Sequence, residues 1–202
     1  MPDLTFLEPY GLPPRRHSAG ATLFRAGTDS AGLYLLLSGR IRLLRPLADG
    51  SEVVVHRAAA VDTFAEAAVF SAVYHCDAVA VTEVEVRIVP AAAVRAALAE
   101  VPGFAARFAA RLAGQVQDLR ARAEILSMRG AAERAAAWLA LQADGDTVAL
   151  DRPVKEMATE IGLTHEALYR ALAALERDGR IERLARGRFR LATGPRGPGA
   201  DA

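Results

Sequence analysis

The stretch that decides the fold of the C-terminal region is Val154–Leu172, which reads VKEMATEIGLTHEALYRAL. Apolar residues recur there at helical spacing and predict the inner faces of two short helices: Met157, Ala158 and Ile161 in the first, and Leu168, Ala171 and Leu172 in the second. Between them, Gly162 can adopt the left-handed backbone of a tight turn, and Thr164 can cap the second helix. The pattern predicts a helix-turn-helix, although a generic pair of helices would share it.

The outward residues of the second helix are candidates for contacting DNA: Thr164, His165, Glu166, Tyr169 and Arg170. The Arg170 guanidinium can donate two hydrogen bonds to a guanine, and the Glu166 carboxylate can accept one from a cytosine. These two residues are four positions apart, so they lie on the same face of a helix. An ordinary surface ion pair is the alternative interpretation, and it is compatible with base reading.

The stretch Arg180–Leu191 follows this helix and alternates as a β-hairpin does. We predict a turn at Arg186-Gly187 and four inward side chains: Ile181, Leu184, Phe189 and Leu191. Such a hairpin is a wing, and Arg186, Arg188 and Arg190 on it could contact phosphates. The alternative is that some of these arginines are only solvated.

Residues from about 20 to 90 are typical of a β-domain. Short apolar runs at Leu33–Leu37, Ile41–Leu44, Val53–Val55, Ala78–Val81 and Val84–Val89 are separated by turn residues. Asp49-Gly50 between two of them indicates a hairpin. Many short strands at this spacing favour a barrel or a sandwich. The alanine-rich segment Thr63–Ala72 predicts a short helix between strands.

A helical period replaces the strand pattern from about Ala91 to Gln142. Within it, Leu112, Val116, Leu119, Ala123 and Leu126 form an apolar seam with coiled-coil spacing. We favour a partner helix in a homodimer over packing on the chain's own β-domain, because the helix is long and its flanks are polar. Gly130 marks the end of this helix or a hinge, and a shorter helix, Ala131–Gln142, follows.

Composition excludes several classes of protein. The 202 residues carry a net charge of +1, which is unlike a histone-type polycation. The chain from Arg152 onward is +3 and the rest is −2, so the basic charge is concentrated at the C-terminal end. A single cysteine, Cys76, excludes an intramolecular disulfide and a four-cysteine iron–sulfur cluster. No apolar run reaches the ~18 residues that span a bilayer, and no signal peptide is evident, so we expect a cytoplasmic protein.

With these features in this order, residues 5 to 192 resemble the CRP/FNR superfamily of transcription regulators (cyclic-AMP receptor protein/fumarate-nitrate regulator). The resemblance rests on the glycine-punctuated β-region, on DTFAEAAVF from Asp62 to Phe70, on the seam helix and on GLTHEALYR from Gly162 to Arg170. It implies an α+β fold: a cupin-like β-roll of the cyclic-nucleotide-binding type over 1–100, a dimerisation helix over 101–129 and a winged helix-turn-helix over 130–192. Residues 193–202 are expected to form a disordered tail.

The resemblance also implies a function. It assigns base reading to Glu166 and Arg170, and it implies a homodimer that binds palindromic promoter sites in double-stranded DNA and contacts RNA polymerase. We identify no catalytic constellation and no metal-ligand spacing, so we expect neither an enzyme nor a metal site. A winged-helix module that docks on protein instead of DNA is the alternative outside this class.

The effector pocket departs from members that bind cyclic AMP. Those use a glycine–glutamate turn and, ten residues beyond that glutamate, an arginine followed by serine or threonine. Here Glu66 follows Ala65, while Cys76 and Asp77 occupy the arginine and hydroxyl positions. A carboxylate repels a phosphate, and no other cation can be assigned to replace the arginine, so we expect no cyclic-AMP binding.

A haem- or small-ligand-gated sensor remains an alternative within the family. His75 and Cys76 can each ligate haem iron, but neighbouring strand residues point to opposite faces and would not readily share one metal. We therefore expect the protein to have no cofactor, and a bound haem is the alternative.

Overall fold

The computed structural model describes residues 4–47, 49–150 and 154–192. The β-domain predicted for residues 20 to 90 is confirmed, and its first strand lies slightly before the predicted start. Eight strands follow one another: β1 (Arg15–His17), β2 (Thr22–Phe24), β3 (Gly32–Ser38), β4 (Arg40–Pro46), β5 (Glu52–Ala59), β6 (Asp62–Phe64), β7 (Asp77–Ala80) and β8 (Val84–Pro90). A 3-10 helix over Thr5–Tyr10 precedes them.

The strands form two four-stranded antiparallel sheets, in the orders β1-β8-β3-β6 and β2-β7-β4-β5. The predicted hairpin at Asp49-Gly50 joins β4 to β5, which pair in antiparallel register. Side chains from both sheets meet in one core that includes Leu36, Ile41 and Val86. The cupin-like roll thus arises because alternate residues of short strands can bury their apolar side chains against a facing sheet.

The helical region breaks into three helices at the two places where the sequence has helix-ending residues. They are α1 (Ala91–Glu100), α2 (Phe104–Ser127) and α3 (Ala131–Gln142). Gly103 has a φ of 77° in the turn before α2, a value that glycine adopts without strain. Gly130 is the N-cap of α3, which begins and ends where the sequence predicted.

The C-terminal region contains β9 (Thr147–Ala149), α4 (Val154–Glu160), α5 (His165–Arg177), β10 (Ile181–Ala185) and β11 (Arg188–Leu191). The last two strands form the predicted hairpin, and β9 adds a third strand in the order β10-β11-β9. The inner faces predicted for the two helices are buried together with Trp138, Leu139 and Phe189. A winged helix-turn-helix is therefore present.

Two predictions of local structure need correction. Leu184 was expected to point inward, but it is 40% exposed. The register of β10 and β11 shifts between Arg183 and Ala185, and such a bulge interrupts the alternation of faces on which the prediction relied. In Thr63–Ala72 the helix is a 3-10 segment of four residues, Glu66–Val69, because the strand β6 extends into the predicted stretch.

The chain divides into two compact units, Met1–Leu112 and Ala113–Ala202, with the division inside α2. The first unit contains the roll, and Phe104 and Phe108 of α2 belong to its core. The second unit contains the winged helix. Among the described residues, no helix combines the length and the apolar character needed to span a membrane. The tail predicted at 193–202 lies outside the described residues.

Candidate nucleic-acid interface and effector pocket

The turn between α4 and α5 has the geometry that a helix-turn-helix requires. Gly162 has a φ of 63°. This lies in the left-handed region, where any residue with a side chain would be strained. The Thr164 hydroxyl accepts a hydrogen bond of 3.2 Å from the backbone N–H of Ala167, which caps α5 as predicted. Leu168 and Leu172 are fully buried behind the helix, so the opposite face of α5 is fixed toward solvent.

That outer face of α5 carries the five residues that the sequence analysis named. Thr164, His165, Glu166, Tyr169 and Arg170 are all exposed. The side chains of Glu166 and Arg170 form no hydrogen bond or ion pair with any residue in the described ranges. The surface ion pair that was the alternative interpretation is therefore not formed between them, and their charged groups remain available to an external partner.

The arginines of the wing fall into two groups, those without an ion pair and those with one. Arg186 and Arg188 are exposed, and within the described part of the chain neither side chain forms an ion pair. Arg190, in contrast, donates a 2.8 Å hydrogen bond to Glu182. Two further arginines are engaged as well, because Arg183 contacts Glu176 at 2.9 Å and Arg180 contacts Glu133 at 2.7 Å. The unpaired positive charge of the wing is thus concentrated on the two arginines at its tip.

Arg183 also has a structural contact that the sequence analysis missed. Its guanidinium carbon lies 5.4 Å from the centre of the Phe189 ring, in cation–π geometry. Hydrogen bonding to the Arg183 guanidinium lowers the pKa of the Glu176 carboxyl. The sequence does not predict this pairing, because Glu176 and Arg183 come into contact only when the hairpin packs on α5.

In the candidate effector pocket, Glu66 is the first residue of the 3-10 helix that follows β6. Its carboxylate accepts a short hydrogen bond from the hydroxyl of Thr63, a residue with no exposed surface. The same hydroxyl accepts a 2.9 Å hydrogen bond from Nε of Arg111 on α2, and Arg111 also pairs with Asp62. The sequence analysis missed this cation, which lies far from Glu66 along the chain.

Ala65, which the sequence analysis compared with a glycine of the family's cyclic-AMP pockets, directly precedes Glu66. Its φ is 62° and its ψ is 32°, so an alanine occupies the left-handed conformation that glycine prefers. A glycine at this position would adopt the same backbone conformation without strain.

Of the two other predicted pocket residues, Asp77 begins β7 and Cys76 directly precedes it. Asp77 accepts a 2.7 Å hydrogen bond from the backbone N–H of Ala26, so its carboxylate holds the neighbouring loop. Cys76 is half-buried, and this burial raises the pKa of its thiol, while the charge of Arg45 lowers it. Cys76 is thus not placed as a reactive thiolate. Arg45 is a second nearby cation that the sequence analysis did not assign.

Aromatic side chains occupy the space between the two sheets of the roll. Phe24 stacks on Tyr74 with 3.8 Å between ring centres, and Tyr34 stacks on Phe64 at 4.9 Å. All four rings are buried, and burial raises the pKa of the Tyr34 phenol. In the described residues, no group of three or more His, Cys, Asp and Glu side chains is arranged to hold a metal ion.

Comparison with known families identifies both units. Residues 14–101 match the family described as "Cyclic nucleotide-binding domain", and residues 133–192 match the family described as "Crp-like helix-turn-helix domain". The comparison with curated proteins gives no match.

Solved structures resemble the chain over most of its length. FixK2 from Bradyrhizobium japonicum superimposes with a TM-score of 0.71 at 20% identity, covering 90% of this chain and 92% of that one. TTHB099, a transcriptional regulator of the CRP family from Thermus thermophilus, has a TM-score of 0.61 at 25% identity, with 88% and 91% covered. A CooA mutant from Carboxydothermus hydrogenoformans has a TM-score of 0.71 at 18% identity, with 89% and 83% covered. With a cyclic-nucleotide-binding roll followed by a Crp-like helix-turn-helix, the chain belongs to the CRP/FNR superfamily of transcription regulators.

Proposed function

We propose that this regulator works in the cytoplasm as a homodimer and binds palindromic promoter sites, with Glu166 and Arg170 contacting base edges. The observation that carries the proposal is the outer face of α5, where both side chains are exposed and unpaired within the described residues. A guanidinium and a carboxylate on one helix face match the acceptors of guanine and the donor of cytosine in the major groove. Arg186 and Arg188 would add sequence-independent contacts to phosphates.

The exposed apolar seam of α2 supports the homodimer. Val116 is 43% exposed, Leu119 53% and Leu126 46%, although the spacing of these residues is that of a coiled coil. A second copy of α2 would cover this stripe. Two recognition helices would then enter successive major grooves about 34 Å apart.

Selection from a pool of random duplexes, with the purified full chain, tests the proposal. We expect enriched sites to contain two inverted half-sites whose centres are about 10 base pairs apart. We also expect affinity to fall steeply as salt is raised. A pool that shows no enriched sequence would contradict the proposal and would favour a winged helix that docks on protein. Contact with RNA polymerase is expected from the family and is measured separately by co-purification with the polymerase.

We further propose that the roll does not bind cyclic AMP. Three observations support this. Cys76 and Asp77 stand where a cation and a hydroxyl would meet the phosphate. The Glu66 carboxylate already accepts a hydrogen bond from Thr63, which in turn accepts one from Arg111, and aromatic rings fill the roll. Calorimetric titration with cyclic AMP is expected to give no binding heat. Binding at micromolar concentration would contradict this proposal, and a Soret band in the purified protein would instead support the haem-gated alternative.

A further inference from the structure

Arg134, near the start of α3, bridges the ends of two other helices. Its Nε donates a 2.7 Å hydrogen bond to the carbonyl of Met128, just beyond the end of α2. Its Nη1 lies 3.3 Å from the carbonyl of Ile161 and 3.4 Å from that of Gly162, in the turn between α4 and α5. One side chain therefore contacts the link that leaves α2 and the turn that precedes the recognition helix.

The chemistry of these carbonyls suits a guanidinium. These carbonyls lie directly after the last residues of α2 and α4, where the helix no longer supplies N–H donors and where the negative end of the helix dipole favours a cation. Arginine has donors in a rigid planar fork, so one residue can serve acceptors on two segments at once. A lysine ammonium lacks this fork and reaches fewer acceptors in fixed geometry. Gly162, whose carbonyl is one of these acceptors, has a left-handed backbone with a φ of 63°.

Apolar packing joins the same two segments. Ile125, in the last turn of α2, is 4% exposed and belongs to the core that contains Met157 and Ile161. A Cβ placed on Gly162 would lie 3.4 Å from Cδ2 of Leu126, so the end of α2 lies directly against the turn. The end of α2 and the turn before α5 are thus held together by side-chain packing and by the Arg134 hydrogen bonds.

From this arrangement we propose that Arg134 is a positioning residue that ties the helix-turn-helix turn to the end of α2, so that α5 follows displacements of α2. The proposal rests on the proposed DNA-binding function. A direct contact of Arg134 with phosphate is disfavoured, because the side chain is only partly exposed and two of its nitrogens already donate to carbonyls.

The experiment compares Arg134→Gln and Arg134→Lys in the full chain with the matched control Arg180→Gln. Arg180 belongs to the same unit, but its side chain pairs with a carboxylate, Glu133 at 2.7 Å, and among the described residues it contacts neither the end of α2 nor the turn before α5. Affinity for the selected duplex is measured over a range of salt, well below each variant's unfolding temperature. Emission of Trp138, the single tryptophan, reports the contact of its Nε1 with Glu160 on α4 at 3.0 Å.

We expect Arg134→Gln to weaken specific binding about tenfold, because it loses charge-assisted hydrogen bonds. The dependence of affinity on salt should stay unchanged, since no phosphate contact is lost. Arg134→Lys should recover part of the affinity, and Arg180→Gln should bind nearly as the unchanged protein does. Trp138 emission should shift in Arg134→Gln before any DNA is added.

Three results would overturn the inference. Unchanged DNA affinity of Arg134→Gln would overturn it. If the unfolding temperature of this variant falls while its affinity stays the same, the role of Arg134 is purely structural. A salt dependence reduced by about one phosphate contact would make Arg134 a DNA ligand instead. If the unchanged protein binds no duplex, the proposed function fails, and unaltered Trp138 emission in both Arg134 variants would then overturn the inference by itself.

Discussion

Arg111 of α2 forms a largely buried ion pair with Asp62 of β6, with side chains that are 11% and 25% exposed. The pair extends through Thr63 to Glu66, a candidate residue of the effector pocket. The first half of α2 is thereby linked to the effector segment by side-chain hydrogen bonds. Burial raises the pKa of the Asp62 carboxyl, and the nearby charge of Glu66 adds a small contribution to this rise.

The stability of the protein should depend on pH through Asp62. Burial raises the pKa of Asp62 above its usual 3.8, and Arg111 offsets only part of this effect. The folded state therefore holds this proton at a higher pH than the unfolded chain does. The resulting stabilisation is fully present at a pH below the pKa of Asp62 in the unfolded chain. It is lost as the pH rises through the pKa of Asp62 in the folded protein. We expect the difference in unfolding free energy between the unchanged protein and Asp62→Asn to decrease as pH rises above about 4.

Asp49→Asn serves as the control for this measurement by denaturant titration. Asp49 is exposed, and hydrogen bonds from Ser51 lower the pKa of its carboxyl, so its small contribution should be lost as pH falls. A difference for Asp62→Asn that grows with pH would contradict the prediction, because it would mean that the charge of Arg111 outweighs the burial of Asp62.

Replacing Arg170 tests base reading by α5. Arg170→Ala should cost about 1–3 kcal/mol of binding free energy on the selected duplex and relax the preference at one base pair of each half-site. Titration of single-base variants of the duplex measures both effects. Equal affinity of the variant and the unchanged protein for all of these duplexes would remove Arg170 from the recognition surface.

Replacing Arg188 should have a different signature. This arginine is exposed and unpaired within the described residues, which suits a phosphate contact. Arg188→Ala should weaken binding to all duplexes alike and reduce the slope of log affinity against log salt by about one. Arg190→Ala is the matched control, because Glu182 already neutralises that side chain. A loss confined to one sequence would assign Arg188 to base reading.

The seam of α2 is tested by placing a charge in it. Leu119→Glu should shift the protein from dimer to monomer in sedimentation velocity, since a buried carboxylate in an apolar interface has no partner. Gln117→Glu adds the same charge off the seam, at an exposed position of the same helix, and should leave the dimer intact. A dimer that survives Leu119→Glu would place the interface elsewhere.

The left-handed Ala65 offers a stabilising substitution. Because alanine is strained at a φ of 62° and glycine is not, Ala65→Gly should raise the unfolding free energy by about 0.5–1 kcal/mol after the entropy of the unfolded glycine is counted. Ala67→Gly, two positions along in the 3-10 helix, should lower it by a similar amount. Thermal unfolding of both variants checks the sign, and a loss of stability in Ala65→Gly would contradict the strain.

The sequence predicted the features that depend on local patterns. The helix-turn-helix follows from apolar spacing around Gly162, and α3 follows from Gly130 and a helical period, because both are set by neighbours in the chain. The contact between Arg111 and Asp62 could not be found in this way, since the residues lie 49 positions apart and meet only when α2 packs on the roll. Leu184 was misjudged because a bulge has no reliable sequence signal.

The exposed stripe on α2 has a consequence for how much of the regulator a cell needs. Leu119 and Val116 face water in the single chain, and in the proposed homodimer the DNA-binding species would form only when two chains associate. Below the dissociation constant of that pair, mass action makes the amount of paired protein scale with the square of the total. While the operator is far from saturated, halving the gene dosage would then reduce its occupancy about fourfold, so that synthesis rate alone could serve as the input signal.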